Sequence, residues 1–196
     1  MKFALFIIFI IVLFVLIYLY FNYQYADMTY VKSNLDDKFY LVRNGEDQQE
    51  AANTLAKIYQ NIITLSDKLY AERDKYKDFK EYIELLHSKA KDIVLVESTQ
   101  DSKYTSYSVN KGEQIVFCLR TKRSGNKLHD LNLIMYVVLH EISHVACPIY
   151  DGHGPLFRKI FAFLTTRAIE VGLYKKVDFV AKPEEYCGMM INESII

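Results

Sequence analysis

Apolar residues crowd the start of the chain and then resolve into periodic stripes. Phe3 to Phe21 reads FALFIIFIIVLFVLIYLYF, without a charge, glycine or proline. At 1.5 Å rise per residue this run spans about 28 Å, close to the hydrocarbon thickness of a bilayer. Tyr18, Tyr20 and Tyr23 gather at one end, where aromatic rings rest among headgroups. The pattern predicts a transmembrane signal-anchor helix over residues 1–22 and a single-pass membrane protein touching lipid through residues 3–21. A cleaved signal peptide fits poorly, because the run is long and bulky Tyr20 and Phe21 stand where small residues are needed. Charges around the span place the N-terminus in the cytoplasm and the main domain across the membrane. The cysteines, read as thiols, favour the opposite side, so the two signals conflict.

Residues 23–37 read as a polar stalk, and residues 38–196 as one folded domain. Lys38 to Arg43 alternates like a strand and stops at the turn dipeptide Asn44-Gly45. Asp47 with Glu50 three residues on predicts a capping box. The helix that follows, to about Tyr70, carries Ala51, Leu55, Ile58, Ile62, Leu65 and Leu69 as a buried stripe. Asp74 to Lys91 reads as a second, charged helix with Phe79, Ile83 and Leu86 inward, and His87 on it has no partner motif. Ile93–Val96, Ser106–Val109 and Gln114–Arg120 read as strands, the last two joined by a turn at Asn110-Lys111-Gly112.

Composition narrows the function classes. The chain is 51 % hydrophobic, with 24 basic and 24 acidic residues and zero formal charge. That balance exerts no long-range pull on nucleic acid or anionic lipid. Arg120, Lys122, Arg123 and Lys127 lie in one loop, but no aromatic is interleaved, and the segment reads as solvated. Cys118, Cys147 and Cys187 make no disulfide framework and read as thiols in a reducing compartment.

The chemistry lies in Leu128 to Ala146, LHDLNLIMYVVLHEISHVA, an apolar helix with His140-Glu141-Ile142-Ser143-His144 inside it. Four-residue spacing brings both imidazoles to one helical face, within reach of one tetrahedral zinc ion. Burying two histidines and a glutamate is costly unless something satisfies their polar atoms, and a metal does so. Glu141 lies beside the first ligand, where a metal-bound water would find its general base. Pro148 stops the helix, Asp151-Gly152 turns the chain, and His153 arrives before Gly154-Pro155 opens a new helix. This placement favours His153 as third ligand over Asp151, Cys147 or a more distant acid. Three histidines plus water describe an open site for one catalytic Zn2+. Asp130 or Asp151 is a candidate to orient an imidazole, and Tyr150 or Tyr186 to donate to an oxyanion. Gln114 to Arg120 is the candidate edge for pairing with an extended protein or peptide substrate.

His140-Glu141-Ile142-Ser143-His144, followed by His153-Gly154 and Phe157, resembles the pattern of the WLM and SprT-like minimal zinc metalloproteases. The closer resemblance is to WLM-domain-like metallopeptidases encoded by large nucleocytoplasmic DNA viruses. It takes in Leu41-Val42-Arg43, Gln49-Glu50-Ala51-Ala52, Thr105-Ser106-Tyr107, Val109-Asn110-Lys111-Gly112, Leu128-His129-Asp130-Leu131-Asn132 and Tyr186-Cys187-Gly188. It implies a compact α+β zincin-like fold with a small antiparallel sheet over residues 38–196, zinc on His140, His144 and His153, and Glu141 as base. It implies a viral protein in a host or virion membrane. The gap from His144 to His153 is longer than in typical members. Cellular relatives act on proteins cross-linked to DNA, a substrate that the anchor and neutral charge argue against here. A catalytically silent assembly protein of a membrane, or a zinc hydrolase of non-peptide bonds, are the alternative readings.

Overall fold

A computed structural model describes residues 2–24, 26–122, 125–148 and 152–196. The apolar stripe of residues 51–69 builds the longest element of the folded domain, helix α2 (Gln48–Ala71), with Ala51, Leu55, Ile58, Ile62, Leu65 and Leu69 buried. Burial of such a stripe stabilises at roughly 25 cal/mol per Å² of apolar surface removed from water. The chain enters α2 from strands β1 (Met28–Lys32) and β2 (Phe39–Arg43), which pair antiparallel. It leaves through two 3-10 turns and helix α3 (Lys80–Ala90) into strand β3 (Val94–Glu97). Strand β4 (Tyr107–Val109) then turns into β5 (Gln114–Phe117). Helices α4 (Leu131–Ala146) and α5 (Pro155–Glu170) follow, then a hairpin of β6 (Glu184–Tyr186) and β7 (Met189–Ile191).

The architecture is α+β, with a five-stranded sheet in the order β1-β2-β3-β5-β4. The sheet is mixed rather than antiparallel. β2 with β3, and β3 with β5, run parallel, while the two edge strands are antiparallel. Between β2 and β3 the long helical crossover through α2 and α3 carries the chain back to the end of the sheet where β2 began, so β3 enters parallel to it. α2 packs on β2 and β3, and α4 packs against α2, α3, α5 and β4. The core lies between these layers.

The expected membrane anchor is overturned. Among the described residues, no helix is long and apolar enough to cross a membrane. Helix α1 runs from Lys2 to Gln24. The single-pass membrane placement falls with the anchor.

Other expectations change in detail. β1 lies inside the segment read as a stalk. The charged helix begins only at Lys80, because residues 73–79 form two 3-10 turns. No capping box forms at α2: the Asp47 side chain makes no cap bond and instead binds Arg120. Cys118 and Cys187 are joined in a disulfide, so of the three cysteines read as thiols only Cys147 is free, and it is buried. Arg120 is buried and ion-paired rather than solvated in a basic loop. β5 ends at Phe117 and lies inside the sheet, so the free edge next to it belongs to β4.

Candidate metal centre

Helix α4 begins where the Asp130 carboxylate accepts the Asn132 backbone N–H at 2.8 Å. This cap lies ten residues before His140, about 15 Å along the axis, so Asp130 holds the helix start and does not reach the imidazoles. Leu133, Ile134, Met135, Val138, Leu139, Ile142 and Val145 bury the helix in the core. At its far end Cys147 turns to extended backbone ahead of Pro148. The chain re-enters helical structure at α5, with Gly154 extended at the N-cap and Pro155 in the first turn. Proline suits that position, where its missing N–H removes no intrahelical bond.

His140 and His144 on α4 and His153 before α5 converge. Their Nε2 atoms stand 3.3 Å (His140 to His144), 3.2 Å (His144 to His153) and 3.0 Å (His153 to His140) apart. Two nitrogens each 2.0–2.1 Å from one tetrahedral zinc ion stand about 3.3–3.4 Å apart. The three contacts cannot all be hydrogen bonds. Each imidazole Nε2 carries either one hydrogen or one lone pair. In any triangle of three such atoms, at least one pair sets like against like. A cation among three lone pairs removes that conflict, and the donor set fits zinc. Among the described residues this is the one group of His, Cys, Asp or Glu side chains close enough to hold a metal ion.

Phe157 walls the site, a contact that periodicity alone does not reveal. Its buried ring stacks on His144 at 4.2 Å between centroids and meets His140 at 5.0 Å and His153 at 4.9 Å. Phe161 adds a second edge against His140 at 5.3 Å. Burial, with added repulsion from His144 and His153, pushes His140 down to about 3. Its imidazole is therefore neutral at ordinary pH, the form that binds metal. Glu141 is 5 % exposed, and burial pushes its carboxyl up to about 7. On the other side His153 is exposed, so the centre opens to solvent there.

The remaining candidates fall differently. Tyr186 is buried, and its hydroxyl is 2.7 Å from Ser106 Oγ. Burial first, and the Glu141 charge to a lesser degree, hold its phenol far above the usual range. Tyr150 and Asp151 lie outside the described residues. A second polar cluster, missed in the sequence, lies at the carboxyl ends of β2, β3 and β5. There Glu97 bonds Arg43 and Arg120, and Arg120 also holds Asp47 at 2.7 Å. Arg43, Asp47 and Arg120 also line a cleft of about 420 Å³.

No family model matches the chain. It is 44 % identical over 171 residues to uncharacterized protein R325 of Acanthamoeba polyphaga mimivirus, covering 87 % of this chain and 86 % of the relative. The chain belongs to this R325 family of viral proteins. A shorter match, at 39 % identity over 83 residues, joins the R325-like chain to uncharacterized protein 136R of Invertebrate iridescent virus 6. It covers 42 % of this chain and 44 % of that relative. Protein 042R of Invertebrate iridescent virus 3 matches at 39 % over 85 residues, covering 43 % of this chain and 50 % of the relative. Among solved structures, Wss1 from Saccharomyces cerevisiae superposes with a TM-score of 0.36 at 22 % identity, over 50 % of this chain and 80 % of Wss1. At that TM-score the chemistry rests on the residues themselves.

Proposed function

We propose that this chain is a zinc-dependent metallopeptidase. The convergence of the three histidine Nε2 atoms within 3.0–3.3 Å carries this reading. His140, His144 and His153 would hold the ion, leaving one position open to solvent and substrate. Zinc bound there would polarise a peptide carbonyl and lower the pKa of its water to about 7. Glu141 is the general base. Its proton affinity, raised by burial to about 7, is poised to take a proton at neutral pH and return it to the leaving amine. His140, kept neutral by burial, remains a ligand under the same conditions. Extended substrate would pair along the free edge of β4, which packs beside α4.

The test combines metal analysis with proteomic comparison of cleaved termini, for wild type against Glu141→Gln. One zinc per chain and cleavage lost by roughly 10²- to 10⁴-fold on substitution are expected. A chain that takes up no metal, or a zinc-loaded chain with no Glu141-dependent cleavage across a broad panel, refutes the reading.

A further inference from the structure

The turn between β4 and β5 is built in a costly way. Asn110, Lys111 and Gly112 all have positive φ, at 46°, 54° and 102°. Asparagine and glycine tolerate this region readily, but lysine does not. The turn presses on the end of the metal helix, since a Cβ at Gly112 would meet Val145 Cγ2 at 2.8 Å. From the other side, Lys89 Nζ of α3 donates to the Lys111 carbonyl at 3.1 Å. The Lys111 side chain then reaches past the end of α4. Its ammonium donates to the carbonyls of Cys147 at 3.1 Å and Pro148 at 2.6 Å.

Those two carbonyls lie just after the last helical turn, where helix ends leave acceptors unpaired and favour a cation. They also mark the start of the only chain path between His144 and His153. His144 is three residues before Cys147, and His153 five residues after Pro148. Both ligand-bearing ends are short, so where Cys147 and Pro148 lie limits where His153 can stand.

We infer that Lys111 is a positioning residue for the metal centre. Its ammonium pins the chain as it leaves α4, so that the His153 imidazole is held against His140 and His144. This rests on the three histidines binding zinc, as proposed above. Side chains that orient metal ligands from outside the coordination sphere typically account for about 10- to 100-fold in metal affinity. Lysine at a backbone position that favours glycine is consistent with a side chain that does work no smaller residue can do.

The full-length chain tests this by zinc competition against a chromophoric chelator and by the visible spectrum of its cobalt(II) form. Lys111→Gly removes the ammonium while easing the backbone at φ 54°, so the turn itself is not strained by the change. It should bind zinc about 10- to 100-fold more weakly and show an altered cobalt spectrum. Lys111→Arg should recover most of the loss, because guanidinium also donates to two carbonyls. The double variant Lys111→Gly/His153→Ala should bind no more weakly than His153→Ala alone. Wild-type affinity in Lys111→Gly, or a loss that adds in full to that of His153→Ala, overturns the inference. Wild-type protein that binds no zinc at all removes the underlying reading instead, a result distinct from either.

Discussion

The two polar clusters inside this protein solve opposite problems. In the Arg43–Glu97–Arg120–Asp47 cluster, carboxylates and guanidinium groups meet one another. Glu97 accepts from both arginines, and Arg120 bonds Asp47 through two nitrogens. Arg43 Nη1 reaches Asn126 at 2.8 Å, and only Arg43 Nη2 is left without a partner. In the histidine cluster three imidazoles bring their Nε2 atoms together, and among the described residues no carboxylate belongs to that group. Charges that pair with one another describe scaffold, whereas imidazole nitrogens converging on one point describe a candidate site.

The sharpest way to break this contrast is to remove one member from the satisfied cluster. Glu97→Ala would strand two buried guanidinium groups without their shared acceptor. Breaking a buried ion pair by deleting one partner costs about 3–5 kcal/mol. Urea unfolding should register a loss of that order. Unchanged stability would mean that the cluster is not the scaffold described here.

The second test makes the matching deletion among the histidines. His144→Ala should cost the metal-free protein about 1 kcal/mol or less, because it ends a conflict as well as a ring contact. With zinc present the two proteins should part. Wild type gains about 2.7 kcal/mol at a zinc concentration a hundredfold above its dissociation constant, and the variant gains nothing comparable. Denaturation with zinc and with chelator reads both quantities. Equal zinc stabilisation of the two chains would break the comparison from this side.

The same contrast explains what the sequence discloses. The three histidines fall within 14 residues, and local spacing on a helix with a proline stop is enough to forecast their meeting. The ion cluster joins residues 23, 54 and 73 positions apart, and no local pattern reports such pairings. The failed capping box at α2 has this cause: Asp47 has the right spacing to Glu50, but a buried arginine far along the chain competes for it. The Cys118–Cys187 disulfide spans 69 residues and is equally invisible to periodicity. Strand alternation located β2 to β5 to within a few residues, yet which strands run parallel depends on the crossover. MTYVK was missed as β1 because its pairing with residues 39–43 outweighs its polar setting. The apolar run at the start reads as a membrane span, yet no helix among the described residues is long and apolar enough to be one.

The smallest expected effect concerns pH in the metal-free protein, where His140 and Glu141 pull in opposite directions. His140 falls from 6.5 to about 3 on folding, so the unfolded chain binds the extra proton and acid favours unfolding. Glu141 rises from 4.5 to about 7, so the folded chain binds the extra proton and rising pH favours unfolding. Between pH 4.5 and 6.5 both act, and their slopes cancel. Below 4.5 Glu141 is protonated in both states, and His140 alone lowers stability as pH falls toward about 3. His140→Ala should therefore unmask Glu141: with chelator present, its stability should decline relative to wild type as pH climbs from 4.5 to 6.5. Glu141→Gln should show the reverse, declining relative to wild type as pH falls from 6.5 toward 4.5. Unfolding free energies measured across that range for the three proteins decide it. Parallel curves would mean that the buried pair does not exchange protons with folding, and would remove the electrostatic ground for Glu141 as a base poised near neutrality.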